Sequence, residues 1–316
     1  MTAMSTTTRP GAASPPKAGK TSGGGPRRRR RSLPNGLPWI LPALIVSVGL
    51  LYYSIGYTGY ISTLKWDGTS PNPESVGLDN YGLLFTDPIF WTALRNTVLF
   101  FLVTFGVQTA LGVFCAVLLH SRIRLAVVYR VLIFLPVVLA PAIMAPVFRQ
   151  IYAAGGQFND VLGFLGLGFL AQPWLAQSST ALPVLMAITI WQWTGLNFIL
   201  YFAAMGQIDS EILEAARIDG ASNWRILVSI IWPGVRGTTI ALAMLSAIGA
   251  LKTFDIPYLV TLGGPNFATE FLGTFIYRES IPLAHVGYAG AISIMLLLLA
   301  IVMAFIFGRR RNSEER

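Results

Sequence analysis

Long apolar runs dominate the sequence after a polar N-terminal stretch. Six of them are long enough to cross about 30 Å of hydrocarbon as helices that rise about 1.5 Å per residue. Their approximate limits are 38–60, 95–119, 127–149, 182–205, 237–260 and 286–308. Because lipid offers no hydrogen bonds to an exposed backbone, the pattern predicts an all-α integral membrane protein with six transmembrane helices.

The two ends of the chain are polar. Residues 1–36 are rich in Pro, Gly, Ser, Thr and Arg and carry too little apolar surface to fold, so we expect a disordered, basic cytoplasmic tail. Residues 37–310 should form the transmembrane domain, and residues 311–316 a second cytoplasmic tail.

The Lys and Arg residues set the predicted orientation. With both termini in the cytoplasm, 18 of the 23 lie on the inner side, 4 lie on the outer side and Lys252 lies within a span. Cytoplasmic loops carry the excess of positive residues, so this is the predicted topology. The charged segment between the fourth and fifth runs is then a cytoplasmic loop.

The composition agrees with a membrane protein. Hydrophobic residues make up 54% of the chain and charged residues 12%, against about 25% charged in soluble domains. The net charge of +9 lies mainly beside the first and last runs, at 27–31 and 309–311, so no nucleic-acid partner is expected. His120 and His285 have no second ligand near them in the sequence, so we expect no metal site.

The charged loop has the signals of a helical hairpin over 209–233. Asp209 or Ser210 can cap a first helix, Gly220 can leave it through a left-handed conformation, and Ser222 can cap a second. In the second helix Trp224, Leu227, Val228 and Ile231 predict one apolar stripe.

The sequence allows two environments for this hairpin. It could rest on lipid, or it could dock on a protein through the small Ala215 and Ala216 and the acidic Glu214 and Asp219. Helices that rest on lipid usually carry Lys and Arg on their polar face. The acids of the first helix therefore favour docking on a protein.

At this hairpin the sequence resembles the EAA loop of ABC importer permeases, the inner-membrane components of binding-protein-dependent transport. Glu214, Ala215, Ala216 and Gly220 match the EAA-x-x-x-G pattern, and IDGAS at 218–222 is the form usual in carbohydrate importers. Asp209 departs from the proline that the family often has there. Three other stretches are similar to maltose-type permeases, namely NYGLLFTDPIFWTALRNT at 80–97, FLPVVLAP at 134–141 and TFDIPYLVTLGGPNFATE at 253–270.

The resemblance implies a MetI-like fold in a bacterial cell membrane. It implies a second permease subunit, two ATP-binding cassette subunits and an external solute-binding protein as partners. Glu214 through Gly220, with Asp219 among them, would couple this chain to the ATPases. The chain has no complete G-x-x-x-x-G-K-[ST] loop, so ATP and Mg²⁺ are expected on the partner subunits and no cofactor or enzyme activity on this one.

Polar residues inside the runs are candidates for a substrate path. Lys252 and Asp255 lie three apart on the fifth predicted helix and share a face, where they could line the path or pair with each other. Trp193, Asn197 and Tyr201 share a face of the fourth. Rings beside amide and hydroxyl groups suit a sugar, but the same residues also fill helix interfaces.

Three other functions compete with a sugar permease. A permease for glycerol phosphate would need a cation, and Lys252 is the only basic residue deep in a predicted span. An ion-coupled secondary transporter would need internal repeats or paired broken helices, which the sequence does not indicate. A structural membrane anchor would leave the acidic hairpin unexplained.

Overall fold

The computed structural model describes residues 37–120 and 124–314, with side chains for 39–309 of these. The predicted tail at 1–36 lies outside the described residues, as does Arg122 of the predicted inner loop. The described residues divide into a first unit that ends at Leu51 and a second unit that begins at Tyr52. The bundle described below belongs to this second unit.

Fourteen α-helices and one pair of short strands form the described part of the chain. They are α1 Leu37–Ile61, β1 Leu64–Lys65, β2 Glu74–Ser75, α2 Asp79–Thr86, α3 Pro88–His120, α4 Ala126–Phe134, α5 Pro141–Ile151, α6 Gln157–Phe164, α7 Ser178–Met205, α8 Ser210–Ile218, α9 Asn223–Ile226, α10 Trp232–Gly234, α11 Arg236–Leu251, α12 Asp255–Thr261, α13 Leu272–Ser280 and α14 Val286–Glu314. The strands pair antiparallel, with Leu64 opposite Ser75.

Four helices are long and apolar enough to cross a membrane alone: α1, α3, α7 and α14. Two bent pairs raise the number of candidate spans to six. One joins 126–138 to α5 with a bend of 96°, and the other joins 223–234 to α11 with a bend of 66°. The described residues therefore contain four to six candidate spans.

The third predicted span, 127–149, is not one continuous helix. It contains α4, a 3₁₀ turn at Leu135–Val138 and α5. Pro136 lies in the turn and Pro141 is the first residue of α5. Proline has no N–H to donate and its ring clashes with the preceding turn, so an α-helix cannot run unbroken through both positions.

The fifth predicted span, 237–260, is also broken. Helix α11 ends at Leu251 and α12 begins at Asp255, so residues 252–254 are not helical. A helix continued through this point would need the N–H of residue 257 to donate to the carbonyl of Thr253. Pro257 has no such N–H, which accounts for the break.

The pair of α3 and α7 makes the most extensive contact in the bundle. A Cβ added to Gly112 would lie 3.0 Å from Asn197 Cβ, so glycine allows the two backbones to approach closely. Three hydrophobic clusters surround the pair. The second cluster joins α3, α7 and α11 to the segment that follows α8, through buried side chains including Val113, Phe198, Tyr201, Ile226, Ile231 and Leu242.

Candidate functional site

The predicted hairpin forms two helices separated by a glycine turn. The Asp209 side chain accepts a hydrogen bond from the Glu211 N–H at 3.1 Å and begins α8, and Ser222 Oγ accepts from the Arg225 N–H at 3.3 Å and begins α9. Gly220 has a φ of 76°, which side-chain-bearing residues rarely adopt. The local signals in the sequence therefore located both helix starts and the turn.

Most of the residues that match the EAA pattern face outward. Glu214, Ala215, Asp219 and Gly220 are exposed, whereas Ala216 is half-buried and packs against the second cluster. Within the described residues, no ion pair or side-chain hydrogen bond holds the two acids. The two acids are thus exposed, while α8 packs against the bundle through Ala216.

The apolar stripe predicted for the second helix is formed only in part. Leu227 and Ile231 pack in the second cluster, whereas Trp224 is 72% exposed and Val228 is also exposed. A short run of π-helix at Leu227–Ile231 changes the angular spacing of the side chains in this segment. Trp224 and Ile218, which is 86% exposed, instead leave two large apolar side chains uncovered close to the turn.

A cavity of about 420 Å³ lies between α3, α7 and α11 and reaches the break before α12. Its polar lining is drawn from four elements of the bundle and from the break. The polar and aromatic residues of the lining are Phe100, Thr104, Gln108, Thr189, Gln192, Trp193, Asn197, Ser246, Lys252, Thr253, Phe254 and Asp255. Four of the five residues predicted to form a path, all except Tyr201, therefore meet here.

Three buried amides form the inner wall of this cavity: Gln108, Gln192 and Asn197. Gln108 and Gln192 each donate to a backbone carbonyl at 3.1 Å, and Asn197 Nδ2 donates to the Trp193 carbonyl at 3.2 Å. Asn197 is 3% exposed, and its Oδ1 has no partner among the described residues. We did not predict Gln108 or Gln192, although amides inside apolar runs were a signal that could have found them.

Lys252 and Asp255 do not share a helix face, because the break separates them. Lys252 follows the end of α11, and Asp255 is the first residue of α12. Both are exposed, both line the cavity, and no ion pair joins them in the described structure. The alternative of a mutual pair that fixes helix packing is therefore not observed.

Tyr201 lies outside the cavity, which corrects its placement on the predicted path. It is fully buried in the second cluster, and its hydroxyl donates to Thr239 Oγ1 at 3.1 Å. Eight residues along an α-helix rotate about 80° away from the starting direction. That rotation removes Tyr201 from the face that carries Trp193 and aims it at α11.

A buried polar cluster lies beyond the cavity, next to α13. Arg278 contacts Glu270 Oε2 at 3.0 Å and Glu279 Oε1 at 3.3 Å. Burial raises the pKa of Glu270, and the Thr274 hydroxyl and the Arg278 guanidinium oppose that shift. His285, which we expected to be isolated, has its Nδ1 3.0 Å from Glu279 Oε2.

Comparisons with known proteins agree with this arrangement. Residues 108–310 match the family described as "Binding-protein-dependent transport system inner membrane component". A probable ABC transporter permease of Pyrococcus horikoshii is 34% identical over 273 residues, which covers 86% of this chain and 94% of that protein. The lactose transport permease LacF of Rhizobium radiobacter is 31% identical, with 86% and 92% covered.

The fold is also found in solved structures. A bacterial ABC transporter that imports alginate has a chain with a TM-score of 0.72 and 21% identity, covering 87% of this chain and 96% of that one. The same transporter in complex with its alginate-bound periplasmic protein has a TM-score of 0.70. With a family match over most of the chain and two relatives above 30% identity, this protein belongs to the inner-membrane components of binding-protein-dependent transport and is the permease of an ABC importer.

Proposed function

We propose that the chain, with a second permease subunit, forms the path of a carbohydrate through a bacterial cell membrane. The observation that carries the proposal is the wall of three amides, Gln108, Gln192 and Asn197, in a cavity that aromatic rings also line. Amides both donate and accept hydrogen bonds, so they can bind hydroxyl groups without a change of charge. Sugars carry many hydroxyl groups and therefore suit such a wall.

Aromatic rings beside the amides support the same class of ligand. Trp193, Phe100 and Phe254 line the cavity with the amides. A sugar ring has apolar C–H faces and a rim of hydroxyls, so it needs flat apolar surfaces next to a few polar groups. The relative from Rhizobium radiobacter is a lactose transport permease, which supports a carbohydrate as well.

In the proposed assembly, the exposed face of α8 docks on an ATP-binding subunit. Glu214 would make a charged contact and Gly220 would keep the turn that presents it. Ala215 and Asp219 would complete the surface, and Ala216 would hold α8 against the bundle behind it. An external solute-binding protein would deliver the sugar, and ATP and Mg²⁺ would be bound by the two partner ATPases. The proposed topology has six crossings, both termini in the cytoplasm and the hairpin on the inner side.

The test is ATP-driven uptake by the assembled complex in liposomes, with its second permease, ATPases and binding protein. Labelled lactose, maltotriose, diacetylchitobiose and glycerol phosphate form the panel. We expect uptake of at least one carbohydrate, and a decrease of up to about tenfold on Asn197→Ala, the value of one neutral hydrogen bond. Uptake of none of the carbohydrates by the wild-type complex would overturn the proposal.

Thr109→Val is the matched control for Asn197→Ala. The Thr109 hydroxyl is also buried without a partner among the described residues, but Thr109 does not line the cavity. We expect the control to leave uptake unchanged. An equal decrease in both variants would show that Asn197 acts through packing.

Glycerol phosphate is the second candidate, favoured by the unpaired Lys252 in the cavity. A phosphate needs a cation, and Lys252 is the basic residue that lines the site. Lys252→Met should abolish uptake of glycerol phosphate if this candidate is correct. The same variant should change carbohydrate uptake by less than about threefold, since a sugar does not require the charge.

A further inference from the structure

Three aromatic rings form a cluster that begins at the cavity and extends beyond it. Phe254, which immediately precedes α12, and Tyr258 of α12 have ring centroids 5.0 Å apart and planes inclined by 14°. Tyr277 of α13 lies 4.9 Å from Tyr258 and 5.5 Å from Phe254. We name these three residues the aromatic ladder.

The ladder is continuous with the cavity at one end. Phe254 lines the cavity, and Tyr258 follows it one helical turn farther along α12, toward the loop that precedes α13. All three side chains are half-buried rather than enclosed. The rings pack partly on one another, and their partial exposure leaves the rest of each ring accessible to a ligand.

The polar edge of the ladder also suits a polyhydroxylated ligand. The Tyr258 hydroxyl donates to the Tyr277 hydroxyl at 3.3 Å. This leaves the Tyr277 proton without an acceptor in the described part of the chain, so it can donate to an incoming hydroxyl. Flat faces with a paired hydroxyl edge match the two surfaces of a pyranose ring, while they offer no cation to a phosphate.

Ion pairs and a hydrogen bond fix the helix that carries Tyr277 of the aromatic ladder. Helix α13, which carries Tyr277, is fixed by Arg278 and its contacts with Glu270 at 3.0 Å and Glu279 at 3.3 Å. The Thr274 hydroxyl accepts from the Phe271 N–H at 2.9 Å and begins the helix. A ring on an anchored helix loses little freedom when a ligand binds, which favours binding at this position.

We propose that Phe254, Tyr258 and Tyr277 form a second carbohydrate subsite, which stacks one sugar ring of an oligosaccharide outside the cavity. The proposal rests on the proposed function, because it takes the cavity as the site of a first sugar ring. It adds a size preference: a chain of several rings occupies both sites, whereas a monosaccharide occupies only the cavity.

The first experiment measures uptake in the liposome assay at saturating binding protein, with maltotriose and glucose as probes. Tyr258→Leu and Tyr277→Leu should lower the ratio of maltotriose to glucose uptake by about threefold to tenfold, the range for one aromatic stacking contact. Tyr258→Phe keeps the ring and should stay within about twofold, whereas Tyr277→Phe removes the hydroxyl that would bind the ligand and should lower the ratio by up to about tenfold. Tyr129→Leu, at an exposed ring on α4, is the control and should have no effect.

A second measurement covers the case in which the leucine variants fail to assemble. The photoreactive residue p-benzoylphenylalanine, placed at Tyr258 in the full complex, should form an adduct with labelled maltotriose during ATP-driven uptake. The same residue at Tyr129 should form none.

The outcomes separate the two proposals. An unchanged uptake ratio in the leucine variants, or active maltotriose uptake without an adduct at Tyr258, overturns the ladder and leaves the carbohydrate path intact. A wild-type complex that takes up no carbohydrate in the panel overturns both. A reduced ratio together with the adduct supports the second subsite.

Discussion

The cavity and the hairpin both carry polar side chains, but the two regions differ in how far these side chains are buried and hydrogen-bonded. In the cavity the three amides are buried, and each donates a hydrogen bond to a backbone carbonyl of the same chain. In the hairpin the Glu214 and Asp219 carboxylates are exposed and unbound within the described residues. The cavity is thus suited to a small ligand that completes its hydrogen bonds, and the hairpin to a protein that supplies many contacts at once.

The largest expected effect is on the packing of α3 against α7, the two helices that carry the amides of the cavity. Gly112→Leu would insert a side chain where even a Cβ meets Asn197 at 3.0 Å, so it should separate α3 from α7. We expect a loss of about 3 kcal/mol or more from overpacking, measured as a lower melting temperature and lower yield of the complex. Gly106→Leu on the same helix is the control, because a Cβ there meets no atom within 4 Å. Equal stability of the two variants would contradict the packing described.

The next effect is confined to the hairpin. Glu214→Gln removes the charge but keeps the shape, and we expect ATP-driven uptake to fall by about tenfold to a hundredfold, as for one charged hydrogen bond. Binding of carbohydrate in the cavity should not change. Glu211→Gln, one turn earlier on α8, is the control. If both variants behave alike, the effect belongs to the net charge of the hairpin rather than to Glu214.

A smaller effect tests the turn that presents the acids. Gly220→Ala places a Cβ on a residue with a φ of 76°, at a cost of about 1 kcal/mol, although no atom lies within 4 Å of that Cβ. Affinity for the ATPase subunits should fall about fivefold, as measured by co-purification at limiting ATPase. The control Gly237→Ala lies in α11 with equal space and an ordinary φ, and it should be neutral. An equal loss in the control would refute a role for the left-handed conformation.

The smallest effect tests the correction at Tyr201. Tyr201→Phe removes one buried hydrogen bond, but Thr239 Oγ1 still donates to the Val235 carbonyl at 3.1 Å. We therefore expect a loss of less than about 1 kcal/mol in stability and no change in uptake. A clear change in substrate preference would show that Tyr201 does contribute to the substrate path.

The sequence predicted best where the determinants are local. Asp209, Gly220 and Ser222 act on neighbouring backbone groups, so their roles as caps and turn followed from residue type and spacing. The predicted surface of α8 likewise needed only the helical period. The acids were expected outside, and Glu214 and Asp219 are exposed.

Prediction was poorer where long-range packing or a backbone irregularity decides. The π-helical run displaced Trp224 from its expected stripe, and Pro257 interrupted the helix that was to carry Lys252 and Asp255 together. The amides of Gln108 and Gln192 meet only because α3 and α7 pack closely, which periodicity alone does not reveal. His285 lies next to the carboxylate of Glu279 because the chain turns between α13 and α14, and the sequence did not indicate this turn.

Two glycines set how closely backbones approach each other around the cavity. At Gly112 the missing side chain lets α3 approach α7 at Asn197, and at Gly273 it lets α13 approach the carbonyl of Thr253, because an added Cβ would lie 2.8 Å from that oxygen. Both Asn197 and Thr253 line the cavity. The width of the cavity therefore depends on residues that contribute no side chain to it, and a larger residue at either glycine should change its shape without altering any group that lines it.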